Sequence, residues 1–255
     1  MSAELHIDRE DPEVAVFTLN RPDKRNALSI DLMRTLIEEI EKTHADRKKR
    51  VLVLKGEGSC FCTGLDLKEA GDMSLAEESA NLIARLLNSL YQSPLITLSV
   101  VQGYAIAGGA GLAAVSDYVL AEEGVKIGFP EVQRGLVPAI VFAFLHRQVQ
   151  EKDLRELFLF GDLVEAKRAK EIGLINRIVK EDQLDSALQE QISKALQGGP
   201  ETITHLKRLF HQLYPKPIEE DLSVTLSFHK LARTHREAKE GIAAFNEKRK
   251  PKWCR

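Results

Sequence analysis

Cysteine, tryptophan and methionine are scarce in this chain of 255 residues, at three, one and three copies, and each scarcity narrows the reading. Cys60, Cys62 and Cys254 are odd in number, so they cannot form a fully paired disulfide framework. Cys60-Phe61-Cys62 also has too short a spacing for a zinc knuckle. A reducing compartment is expected, and neither Cys60 nor Cys62 has a histidine close in sequence to activate it as a nucleophile. The seven histidines are scattered, with no His-Glu-x-x-His, so no metal is expected. No apolar run approaches the roughly 18 residues of a membrane span. The opening MSAELHIDRE lacks both an apolar signal core and an Arg-rich transit composition. A cytoplasmic protein without membrane contact is the expectation. A net charge of −2 supplies no global field for nucleic acid, so any anionic ligand must be held locally.

A composition of 44% hydrophobic and 29% charged residues supports one large domain, or one domain with a helical appendage. Residues 14–19 alternate as a strand and end in a polar loop, 20–26. Ser29 then caps a helix with Met33, Leu36, Ile37 and Ile40 on one stripe. Lys48-Lys49-Arg50 reads as a solvated helix end, and residues 51–54 as the next strand. A glycine-punctuated loop, 56–68, leads to a helix with Ile83, Leu86, Leu87 and Leu90 aligned. This alternation defines an α/β protein. Residues 139–145 read as a buried apolar helix, and helices dominate from Glu181 onward. Gly198-Gly199-Pro200 breaks a stripe of Leu184, Leu188, Ile192 and Leu196. The expected division is therefore a core of residues 1–197 and a helical region of 198–255, which is too small for a core of its own and packs on the first part or on another subunit.

The stretch with the most chemical content is 95–138. An apolar β-branched run passes through Gln102-Gly103 and reaches Ala107-Gly108-Gly109-Ala110-Gly111 just before an apolar helix start. The first N–H groups of a helix have no intrahelical acceptor, and residues without bulk let an oxygen approach them. The junction is a natural anion or oxyanion site. Glu131 follows an apolar stretch and Pro130, a setting for a proton carrier with a raised pKa. Gly109-x-Gly111-x-x-Ala114 also fits a dinucleotide fingerprint, but Glu131 does not close a clean second strand as that fingerprint requires.

Five segments then occur in order: Asn20-Arg21-Pro22 with Asn26-Ala27-Leu28; Phe61-Cys62-Thr63-Gly64-Leu65-Asp66; Gly103-Tyr104-Ala105 with Gly108-Gly109; Phe129-Pro130-Glu131-Val132 with Gly135-Leu136; and Glu240-Gly241-Ile242-Ala243-Ala244-Phe245 with Glu247-Lys248-Arg249. Together they resemble the enoyl-CoA hydratase/isomerase (crotonase) family across nearly the whole chain. The resemblance implies a crotonase-like spiral of ββα units with a C-terminal helical region used in trimer formation, as a homotrimer or hexamer. It implies an acyl-CoA substrate, with coenzyme A as part of the substrate and no separate cofactor. The thioester oxygen would be held by the N–H groups of Leu65 and Gly108. Lys24 and Arg25 would contact the CoA phosphates, and Cys62, Asp66 and Leu67 would line the adenine side, largely through backbone.

Hydratases of this family use two glutamates, one three residues after the oxyanion glycine and one twenty further on. Here the first position is Gly111 and the second is Glu131. One reading is a hydratase, similar to the methylglutaconyl-type branch, with Glu131 alone handling the water and its proton. Another is a delta3-delta2 enoyl-CoA isomerase with Glu131 as single base and an apolar wall from Val137 to Leu145. A third is a non-catalytic acyl-CoA or RNA binder; the lack of basic bias speaks against RNA. Acyl-pocket size is expected to depend on Phe142, Phe144, Leu86 and the C-terminal helices.

Overall fold

The computed structural model describes residues 4–66, 68, 69, 72, 74–214 and 216–254. Two sheets organise it. The larger has six strands in the order β1 (Leu5–Asp8), β2 (Val14–Leu19), β3 (Val51–Gly56), β4 (Ile96–Val101), β6 (Tyr118–Glu122), β9 (Arg177–Val179). Its β1–β2 pair is antiparallel and the others are parallel. The smaller sheet runs β5 (Tyr104–Ile106), β7 (Lys126–Gly128), β8 (Val164–Glu165). With the helical C-terminal region, this is the crotonase fold that the resemblance implied.

The run Val51-Leu52-Val53-Leu54 is apolar at every position because both faces of the sheet are covered. Leu52 and Leu54 join the main core with helix α1 (Ile30–Ala45) and helix α2 (Ala76–Tyr91). Val51 and Val53 face α7 (Leu184–Leu196), against Leu188 and Ile192. Ser29 does cap α1, its Oγ accepting from Leu32 N at 3.1 Å.

Of the basic run at 48–50 only Lys48 is exposed as expected. Lys49 is 6% exposed, and its ammonium donates to the carbonyls of Arg9, Asp11 and Val14. Arg50 pairs with Glu13 at 2.7 Å and donates to the carbonyls of Leu196 and Gly198. These cations satisfy backbone acceptors that the turns leave open, a role that charge patterning alone does not disclose. Lys49→Met is expected to strand those carbonyls and cost about 1–3 kcal/mol, a fall of roughly 2–10 °C in Tm by thermal denaturation.

Three further helices follow β7 in the chain, α4 (Ala139–Leu145), α5 (Glu151–Phe160) and α6 (Ala166–Glu171), the last packed on β7 and β8. Beyond Gly198-Gly199, α8 (Pro200–Gln212), α9 (Ile218–Thr234) and α10 (Arg236–Asn246) complete the chain. Lys207 on α8 is buried and donates to Leu95 O at 2.7 Å while pairing with Asp117, which ties the helix to β4 and to the start of β6. Helix α9 packs on α4 and α2, and α10 packs on the 3-10 turn Pro130–Arg134. Among the described residues, no helix is long and apolar enough to cross a membrane.

Candidate active site

Two loops and one short helix meet at the mouth of a cavity of about 460 Å³. The first loop is held from within by Asn26, a fully buried residue with φ of 54°. Its Nδ2 donates to Glu57 O at 3.0 Å and Cys60 O at 2.6 Å, and its Oδ1 accepts from Arg21 N at 2.9 Å. Lys24 and Arg25 are thereby presented at the cavity, and Thr63 N donates back to Arg25 O at 3.2 Å.

The second loop is registered against Leu28. Leu28 N donates to Gly64 O at 2.8 Å, and Asp66 N donates to Leu28 O at 2.9 Å. In a parallel bridge of this kind, the residue between the two bonded peptides turns its own N–H to the opposite side. That residue is Leu65. On that side lies the start of α3 (Gly108–Ala114), so close that a Cβ on Gly64 would lie 3.1 Å from Gly108 N. Ala107, with φ 54° and ψ −123°, turns the chain into this helix. Such a conformation is costly for a residue with a Cβ and is found where a site depends on the peptide it sets. Here it sets the peptide that carries the Gly108 N–H, which has no acceptor within its helix. The arrangement brings two N–H donors, Leu65 and Gly108, to one wall of the cavity, suited to a developing negative oxygen.

Glu131 reaches the same cavity from the 3-10 turn Pro130–Arg134. Its Oε2 is shut off from solvent and has no hydrogen-bond partner. Burial pushes its carboxyl up to about 7, opposed by its own backbone N–H and by Arg134. A group in that range exchanges a proton readily in either direction near neutrality.

Gly111 lies one turn further along α3 than Gly108, and its open side is taken. A Cβ there would lie 3.0 Å from Val141 Cγ2 and 3.4 Å from Leu87 Cδ1. Val141, on α4 and itself lining the cavity, crowds this position.

The structure brings Lys24, Arg25, Leu65, Asp66, Gly108 and Glu131 to one cavity. Asp66 is engaged by Arg21 at 3.1 Å. Cys62 stands behind this surface: it is fully buried, its N–H and carbonyl are bonded to Tyr104 and Ile106, and burial pushes its thiol up to about 12. It does not reach the cavity, because the bridge to Ala105 uses both of its backbone groups. Leu67 lies outside the described residues. Phe144 and Leu86 are core residues with no exposed surface. Phe144 packs edge-on against Tyr91, so neither side chain borders the cavity.

Among the wall residues that sequence reasoning missed are Arg134, His229, Arg233 and Phe245. The guanidinium of Arg134 stacks over the Phe245 ring at 4.4 Å. His229 and Arg233 continue the inward stripe of Ile218, Leu222 and Leu226 along α9. Two polar residues at the spacing of a buried stripe were the available signal.

The strand order, the two loops and the cavity between them define a protein of the crotonase class. A sequence profile described as Enoyl-CoA hydratase/isomerase matches residues 9–255. The chain is 36% identical over 256 residues to a Thermus thermophilus protein that carries an enoyl-CoA hydratase name, covering 97% of this chain and all of that one. It is 32% identical over 255 residues to the 2,3-dehydroadipyl-CoA hydratase of Escherichia coli, covering 98% of each. A crystal structure of an enoyl-CoA hydratase from Mycobacterium avium, 29% identical, matches with a TM-score of 0.88 over the full length of both chains. The chain belongs to the enoyl-CoA hydratase/isomerase family and is an acyl-CoA enzyme of that family.

Proposed function

We propose that the protein hydrates a 2-enoyl-CoA, with Glu131 as the single acid-base group. The observation that carries this reading is the Glu131 carboxyl, raised to about 7 and with an unpartnered Oε2, in the cavity bordered by the Leu65 and Gly108 donors. A buried acceptor without a protein partner is a place for an ordered water. In the reaction, Glu131 takes a proton from that water as its oxygen bonds to C3. The C2–C3 π electrons move toward the thioester, and its oxygen becomes an enolate held by the two N–H groups. Glu131 then returns the proton to C2, so the product is the 3-hydroxyacyl-CoA and one water has been added. Lys24 and Arg25 hold the CoA phosphates at the mouth.

Isomerisation of a 3-enoyl-CoA is the second reading. The Val141 side chain beside Gly111 favours it, since a proton shuttle needs one carboxylate. The wall is not uniformly apolar, however. Arg134, His229 and Arg233 line the same cavity as residues 137–141, so the lining is not the wholly apolar one that suits a dry shuttle.

The C-terminal helices suit the trimer or hexamer expected of this chain. Leu206, Leu209, Phe210 and Leu213 form an exposed apolar stripe on α8 and its end, a face for a second copy.

The pH profile tests Glu131's role. A carboxylate that must start as base is active above its pKa, so kcat/KM for a trans-2-enoyl-CoA is expected to rise about tenfold per pH unit below 7 and level off above it. A profile flat from pH 5 to about 8 would contradict a role for Glu131 as the base.

A further inference from the structure

Arg134 lines the cavity, yet the hydration step gives it no task. It ends the turn Pro130–Arg134, three residues after Glu131. In a 3-10 helix residues three apart lie one above the other, so the two side chains leave the turn on one side. They are not joined: Glu131 Oε2 and Arg134 Nε are each buried without a hydrogen-bond partner.

The last helix accounts for this separation. Gly241 lets α10 come so close that a Cβ there would lie 2.2 Å from Arg134 O, and a Cβ on Gly135 would lie 2.4 Å from Glu237 O. Phe245 stands one turn beyond Gly241 on the same face of α10, and the Arg134 guanidinium lies over its ring at 4.4 Å. Such a stack attracts the cation without neutralising it. Helix α10 thus fixes the Arg134 peptide at one point and its charged end at another.

Most other charges around the turn are paired or exposed. Two helices pack on it, α5 and α10. On α5, Glu151 pairs with Arg155, Asp153 and Glu156 pair with Arg168, and Lys152 is exposed. On α10, Glu240 pairs with Arg249, and Arg236, Glu237 and Lys239 are exposed. The cavity receives Arg233 and His229 from α9, the imidazole being neutral because burial and Arg233 push it down to about 4. The two loops at the mouth bring Asp23, Lys24, Arg25, Asp66 and Lys68. Among the described residues, the charge that bears on the Glu131 carboxyl is that of Arg134.

A base in a cavity largely closed to water meets two opposed requirements. Burial favours its neutral form, whereas an arginine in contact with it would hold it ionised and occupy its oxygens. A cation kept near but apart satisfies both. We infer that Arg134, held against Phe245 of α10, is a positioning residue for the reaction: its charge stabilises the carboxylate form of Glu131 from outside hydrogen-bond contact and leaves Oε2 open to water. This rests on the proposed role of Glu131 and deepens it, and it makes the C-terminal helix part of what sets the base.

The test follows the acid limb of kcat/KM for a trans-2-enoyl-CoA in Arg134→Met and Arg134→Lys. It also titrates the Glu131 carboxyl directly by its infrared C=O band, identified by its absence in Glu131→Gln. In Arg134→Met both midpoints are expected about one pH unit above those of the natural protein. Consequently kcat/KM falls about tenfold at pH 6 and little at pH 9. Arg134→Lys keeps the charge and is expected to return both midpoints most of the way. Midpoints unmoved in Arg134→Met overturn the proposal. So does a loss of activity equal at every pH, which would make Arg134 a substrate contact or a packing residue. Should Arg134→Met not fold, Arg134→Gln removes the same charge with a polar side chain and carries the same expectation. If no 2-enoyl thioester is hydrated, the hydration reading fails separately, and the infrared midpoint of the substrate-free protein still decides the role of Arg134.

Discussion

Glu131→Gln is expected to lower kcat for a 2-enoyl-CoA by about 10³-fold or more while CoA thioesters still bind. General acid–base catalysis by one group contributes roughly 10²–10⁴. In the proposed hydration one carboxyl serves both proton transfers, so its loss falls on both steps. The amide keeps the shape of the side chain and can hold a water, but it cannot accept a proton. The same variant carries a second expectation of opposite sign. A carboxyl whose native pKa, about 7, lies above its ordinary 4.5 binds more protons in the folded state than in the unfolded one. Stability therefore falls as pH rises between those values. Glutamine has no charge to bury, so above pH 7 Glu131→Gln is expected to melt at a higher temperature than the natural protein. Thermal denaturation at pH 8 checks this, and a lower Tm for the variant would show that the carboxylate is stabilised by contacts the structure does not contain.

Gly109→Ala is expected to have the next largest effect. A Cβ at this position would stand 2.2 Å from Cys62 O and 2.6 Å from Cys62 C. Both are backbone atoms, and Cys62 O is fixed by the Ile106 N–H at 2.9 Å. No rotamer change relieves the contact, so α3 must move away from the loop that carries Leu65. The two N–H groups proposed as oxyanion donors, of Leu65 and Gly108, lie on the two sides of that gap. Loss of one such donor costs about 10²–10³ in kcat, and the overpacking costs about 1–3 kcal/mol, roughly 2–10 °C in Tm. Kinetics and a melting curve on the same preparation separate the two effects. A variant that folds and retains full kcat would contradict the pairing of Leu65 with Gly108.

Much of this site is written locally. The glycine run before α3 and the Pro130-Glu131 turn carry their chemistry in adjacent residues, and the loops 20–28 and 61–66 carry recognisable segments. What lay beyond a sequence reading came from distant contacts. Val141 crowds the space beside Gly111 from thirty positions away, so the missing glutamate was legible and the side chain packed against its position was not. Lys49 looks like any surface lysine until the carbonyls of residues 9–14 fold over it. His229 and Arg233 sit on a helix whose inward face is known only once α9 has docked on α2 and α4. Gly241 shows how tight that C-terminal packing is: a Cβ there would meet Arg134 O at 2.2 Å. Helix α10 is thus held against the turn that positions Glu131.

The central claim is hydration by a single carboxylate, and mass spectrometry of a trans-2-enoyl-CoA after incubation tests it most directly. A product heavier by one water is expected, with loss of the conjugated-thioester absorbance, and neither change with Glu131→Gln. No mass change with the 2-enoyl thioester, together with Glu131-dependent conversion of a 3-enoyl-CoA into the conjugated isomer, would contradict it.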